Sequence, residues 1–219
     1  PRLNPGPVLR AKGESFRTIW QKPGDPSVVQ IIDQRMLPHD YVIRDLTTWQ
    51  DGAHAISAML VRGAPLIGAT AAWSLYLAAV TGRDAGNSNR ELQLAAEKLR
   101  NTRPTAINLQ WAIDRVLSVA AKSNELQLVA TLENEAKAIC DEDVEISKGI
   151  GRHGLTLLEE ISRRKAGGTV NVLTHCNAGS LATINWGTAT APIYFAHQSG
   201  ISIHVWVDET RPRNQGSQL

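Results

Sequence analysis

Hydrophobic positions along the chain change period several times, and each change marks an element. Val28 to Asp33 and Tyr41 to Leu46 concentrate β-forming residues, with Leu37-Pro38-His39-Asp40 between them as a turn, so two short strands are predicted. Thr47 or Thr48 suits the cap of a helix running to about Leu60, with Ala55, Ile56 and Met59 on one face. Val61-Arg62-Gly63-Ala64-Pro65 interrupts it. Leu66 to Val80 then resumes as a helix apolar nearly all round, which predicts burial.

After a loop over 81–89, Arg90 to Arg100 reads as a short amphipathic helix. Ala106 to Ala121 reads as another, its apolar stripe supplied by Ile107, Trp111, Ile113 and Val116. Asn124 to Lys165 is helical throughout, and Gly149, Gly151 and Gly154 predict a bend or break at its centre, or a close approach by another group. The last pattern is a strand at Val170 to Thr174, apolar enough to be buried on both sides, a turn at Asn177-Ala178-Gly179, a helix over Ser180 to Tyr194, and a second strand at Ile201 to Val207. Pro1 to Gln21 is polar and irregular apart from Phe16, Ile19 and Trp20.

Such a strand, turn, helix, strand unit belongs to a parallel sheet, yet only two strands of it are visible. Two strands alone would leave apolar side chains in water, which predicts an incomplete domain or one completed by another chain. The expected division is a strand-and-helix domain over 1–124, and a linker helix with an incomplete sheet domain over 125–219.

Composition narrows the partners. With 42% hydrophobic residues in 219 and a net charge of +2 from interspersed acids and bases, a globular core is expected and neither nucleic acid nor membrane is favoured. No leader and no membrane span is expected, and two distant cysteines suit a reducing, cytoplasmic setting. Six scattered histidines lack metal-ligand spacing, so neither metal nor cofactor is predicted.

Candidate chemistry gathers at breaks in the pattern. Cys176 follows a strand end, where open α/β sheets bind ligands, and a helix start beyond it would lower its pKa and attract phosphate; the competing reading is a small buried hydrophobe. Cys140, mid-helix, is expected to be buried and inert. Arg62 precedes a proline-started helix with Gly63 allowing close backbone approach, Arg103 stands before Pro104 in the same way, and Arg211-Pro212 is a third instance. Arginines at helix amino termini follow a phosphate-binding logic, so the three are expected to surround one phosphorylated ligand.

Four motifs then stand in order: Val61-Arg62-Gly63-Ala64-Pro65, Arg103-Pro104-Thr105-Ala106-Ile107-Asn108-Leu109, Thr174-His175-Cys176-Asn177-Ala178-Gly179, and Asp208-Glu209-Thr210-Arg211-Pro212 with Gln215-Gly216. In these the sequence resembles the 5-methylthioribose-1-phosphate isomerases of methionine salvage, which share their architecture with ribose-1,5-bisphosphate isomerases and with regulatory subunits of a translation-initiation exchange factor. The resemblance implies an α/β chain: a small amino-terminal α+β domain, then the first part of a Rossmann-like parallel-sheet domain, in a protein that is a homodimer when complete. It implies a phosphosugar substrate, Cys176 as the catalytic cysteine, and Arg62, Gly63, Ala64, Arg103 and Gln215 as substrate-binding positions. The family's catalytic aspartate, in an Asp-Asn-Met-Ala-like motif, and its Asn-Lys pair have no counterpart after Gln215, so a chain truncated at its carboxyl end is expected, inactive alone unless a partner fragment or another acid completes it. The alternatives are a non-catalytic phosphosugar-binding or regulatory module of the same superfamily, and an isomerase acting on another 5-substituted ribose 1-phosphate.

Overall fold

A computed structural model describes residues 17–211. Three antiparallel strands open it, in the order β1 (Ile19–Gln21), β2 (Val29–Ile32), β3 (Ile43–Leu46). β2 and β3 are the two expected strands, trimmed at their ends; β1 lies within a stretch read as irregular, and it pairs Ile19 with Ile31 and Gln21 with Val29. Three residues are too few to show a period of two, so β1 is defined by its partner.

Thr48 caps α1 (Trp49–Ser57) by a reciprocal box: its hydroxyl accepts from the Asp51 amide at 3.2 Å, and the Asp51 carboxylate accepts from the Thr48 amide at 2.9 Å. α2 (Ala64–Asp84) is the axis of the core, packed by α1, α3 (Ser88–Arg100), α4 (Ile107–Ala120) and α5 (Leu128–Arg164). Its Leu66, Leu75 and Leu77 are fully buried, each contributing roughly 1.5–3 kcal/mol of transfer free energy. Against the expectation of none, α2 is long and apolar enough to cross a membrane, but 78% of its most apolar stretch is buried inside the fold.

The stripe of α4 also differs from expectation. Leu109, Ala112, Ile113 and Val116 face the core, whereas Ile107 and Trp111 are exposed, with Arg115 lying over the Trp111 ring at 5.4 Å. Arg115 also reaches Glu135 and Glu142, tying α4 to α5.

α5 does not break at its glycines. It runs unbroken for 37 residues, packing on α2 and α4 with its first half and on α6 (Ala191–Gln198) with its second. Two of the three answer to close approach instead: a methyl on Gly154 would sit 2.3 Å from Pro192 Cγ, and one on Gly151 would sit 2.7 Å from the Phe195 ring, whereas one on Gly149 would meet only the Arg152 side chain at 4.0 Å. β4 (Val170–Thr174) and β5 (Ile203–Val207) form a parallel pair in the register Val170 to Ile203 through Thr174 to Val207. Of these two strands only Val170 is buried, and Leu173, Trp206 and Val207 face outward, so burial on both sides is not found. Among the described residues the pair has no further neighbouring strand, which leaves its faces and edges open.

Candidate functional site

The stretch after β4 departs from the helix expected over 180–194. Two isolated 3-10 turns, Ser180–Ala182 and Thr188–Thr190, occupy its first half, and the α-helix begins only at Ala191. The physical reason lies in the backbone: Gly179, Trp186 and Gly187 all have positive φ, which no continuous right-handed helix can contain. The helix therefore starts not directly after the Cys176 turn but at Ala191, with Gly187 ahead of it packed against Gly179.

What the segment does instead is dock on the amino-terminal elements. The Thr18 hydroxyl donates to the Thr183 carbonyl at 2.6 Å, and the Thr18 amide donates to the Ile184 carbonyl at 3.2 Å. From α5, the Asp143 carboxylate accepts from the Ile184 amide at 2.8 Å. Burial raises the Asp143 pKa, and that hydrogen bond opposes the rise. The Gln34 side chain donates to the Leu181 carbonyl at 2.7 Å.

Gly63 completes this contact. As N-cap of α2 it holds φ at 98°, and a methyl there would lie 2.3 Å from the Ala182 carbonyl oxygen, so glycine is required both by conformation and by space. Arg62 beside it is buried, with only 5% of its surface exposed, and its Nε–H donates to Gln34 Oε1 at 3.2 Å. Desolvation pulls its pKa downward, and a guanidinium nonetheless stays a cation. Ala64 is the first residue of α2 and Pro65 the second. The loop carrying Arg62 and the turn downstream of Cys176 thus meet at van der Waals distance.

Cys176 is exposed, which excludes the buried-hydrophobe reading, whereas Cys140 is buried with its thiol pushed up to about 12 by desolvation. The Cys176 backbone is left-handed, with φ at 71°, a conformation that costs a non-glycine residue of order 1–3 kcal/mol and marks functional sites more often than chance. On either side of it, Thr174 Oγ1 and Asn177 Oδ1 are buried without a hydrogen-bond partner among the described residues. At the adjacent strand end Asp208 lies 3.3 Å from His175 Nδ1, and the Asp208 amide donates to the Thr174 carbonyl.

Arg103 is half-buried, but it does not stand directly before a helix: Pro104 and Thr105 form a turn and α4 starts at Ile107. The first turn of α4 still touches the first turn of α2, where a methyl on Gly68 would lie 3.0 Å from the Asn108 carbonyl. Arg211 is exposed at the end of the described chain, and Gln215 lies outside the described residues. The structure therefore brings Arg62, Gly63 and Ala64 against the turn after Cys176, and sets the α4 start beside them. Gln34, Thr18 and Asp143 had no motif to mark them. All three act through contacts to residues far along the chain, which no local pattern records.

The initiation factor 2 subunit family model matches residues 60–219. The chain belongs to that family. Members similar to it include proteins named methylthioribose-1-phosphate isomerase from Desulfatibacillum aliphaticivorans, 50% identical over 96% of this chain, and from Gluconobacter oxydans, 51% identical over 96% of it. Among solved structures, the 5-methylthioribose 1-phosphate isomerase of Pyrococcus horikoshii superposes with a TM-score of 0.81 at 35% identity, covering all of this chain. The translation initiation factor eIF-2B subunit delta of A. fulgidus superposes at 0.76 and 35% identity over 94% of it. The chain spans 58% and 56% of the two named curated relatives and 58% of each of these structures.

Proposed function

We propose that the protein is an aldose–ketose isomerase converting 5-methylthioribose 1-phosphate to 5-methylthioribulose 1-phosphate. The observation that carries this reading is the seating of Gly63 on Ala182, which sets the Arg62 loop beside the turn of Cys176. Curated relatives near 50% identity, named for this activity, support it from outside.

The reaction explains the residue types. A phosphate on the anomeric carbon locks the sugar ring, so the ring C–O bond must be broken with acid assistance before hydrogen can move between C2 and C1. In this reading Arg62 and Arg103 hold the phosphate, Gly63 and Ala64 let it approach the backbone at the start of α2, and Gln215 orients hydroxyls. Cys176, exposed at the strand end, handles the transferred hydrogen. Residues 1–124 and 125–219 act as two units joined by α5, with the site between them. A homodimer and a cytoplasmic setting follow from the same resemblance; two free cysteines and interspersed charge support the setting.

The likeness to the eIF-2B subunit favours a second reading, a phosphosugar-binding module without catalysis. One assay separates the two. Methylthioribose 1-phosphate is incubated with the chain and with Cys176→Ser, and the ketose carbonyl is followed. The isomerase reading expects turnover that falls at least about 100-fold in the variant. Because the family's catalytic aspartate has no counterpart here, the assay is repeated with a carboxyl-terminal fragment of a relative that carries it; binding without turnover in that mixture as well contradicts the isomerase reading and supports the module.

A further inference from the structure

The buried side chain of Gln34 stands at the seam between the two halves of the site and uses both ends of its amide there. Gln34 is fully buried just beyond the end of β2, and its own amide N–H donates to the Leu60 carbonyl at 2.9 Å, which locks its backbone to the loop leading into Arg62. Its Oε1 accepts from Arg62 Nε–H at 3.2 Å, while its Nε2 donates to the Leu181 carbonyl at 2.7 Å. The amide orientation is determined by the partners: a guanidinium only donates and a carbonyl only accepts, so exchanging oxygen and nitrogen would break both bonds.

We propose that Gln34 is a positioning residue of the phosphosugar site, holding the Arg62 guanidinium in register with the turn that follows Cys176. The inference rests on the phosphosugar reading. The Nε–H bond lies in the plane of the guanidinium, so an acceptor fixed at Nε fixes that plane and with it the direction of the terminal nitrogens. Because the same amide is bonded to Leu181, the plane is set relative to the Cys176 turn and not merely relative to α2. No other side chain is needed to span from β2 to both loops. Gln34 touches no substrate in this account; it acts through Arg62.

A double-mutant cycle on the full chain tests this, with methylthioribose 1-phosphate as the titrated ligand. Gln34→Met keeps the length and removes both hydrogen bonds. Binding is expected to weaken about tenfold in the Arg62 background and by less than about twofold in the Arg62→Lys background, where there is no fork to orient. Thermal melts establish that each variant is folded, and Gln34→Leu replaces the methionine variant should that one fail to melt cooperatively. It too removes both hydrogen bonds, and its loss should likewise shrink below about twofold against Arg62→Lys. Equal losses in both backgrounds would mean that Gln34 serves the fold alone, and would overturn the proposal while leaving the phosphosugar reading standing. Failure of the unsubstituted chain to bind the ligand overturns both.

Discussion

At the residue scale the two cysteines separate by environment. Cys140 is held in the core of α5 with a thiol raised to about 12, and Cys176 sits in the open at a strained turn. Thiolate supply and access together govern attack on a labelling reagent. Titration of the native chain with a chromogenic disulfide at neutral pH is therefore expected to release one equivalent rapidly and the second only on denaturation. Two fast equivalents would contradict the burial of Cys140. The sequence distinguished these residues correctly because one follows a strand end and the other lies within a helical period. It could not show how Cys176 is presented: the positive φ at Gly179, Trp186 and Gly187 that delays the expected helix to Ala191 is a backbone fact, and tryptophan in particular carries no sign of it.

At the scale of elements, hydrophobic period located nearly every helix, since α1 to α5 each bury a face against the others. Reading errors fell where long-range contact overrides local preference. β1 exists because β2 offers it a partner, and Gly151 and Gly154 of α5 mark not a break but the places where Phe195 and Pro192 occupy the space a side chain would need. α5 also carries a testable electrostatic feature. Burial raises the pKa of Asp143, so its folded pKa lies above its unfolded one. Such a group contributes stability that is fully present below the unfolded value near 3.9 and is lost as pH rises through the folded pKa. Asp143→Asn keeps a carbonyl oxygen to accept from the Ile184 amide and removes the titration. Measured by chemical denaturation, the variant should gain on the parent as pH is raised from about 3 to 7. A difference that stays constant with pH, or runs the other way, would show that Asp143 is not held in a desolvated site.

At the scale of the whole molecule, the motifs pointed to a site made from segments distant in sequence, and the contacts supply the means of assembly. Thr18, Gln34, Gly63 and Asp143 all grip the segment 181–184, so the turn after Cys176 is fastened to β1, to β2, to α2 and to α5 at once. None of these grips is visible in a local window, which is why the arginine motif and the cysteine motif were legible while their meeting was not. α4 reaches α2 at Gly68, a closeness that the Arg-Pro pattern at Arg103 alone could not specify. The central claim is that Arg62 and Cys176 border one phosphosugar. The most direct measurement is the rate of Cys176 alkylation with and without methylthioribose 1-phosphate, in the parent chain and in Arg62→Ala. Shielding of the thiol by ligand in the parent, lost in the variant at the same ligand concentration, is the predicted result; a bound ligand that leaves the alkylation rate of the parent unchanged would contradict the claim.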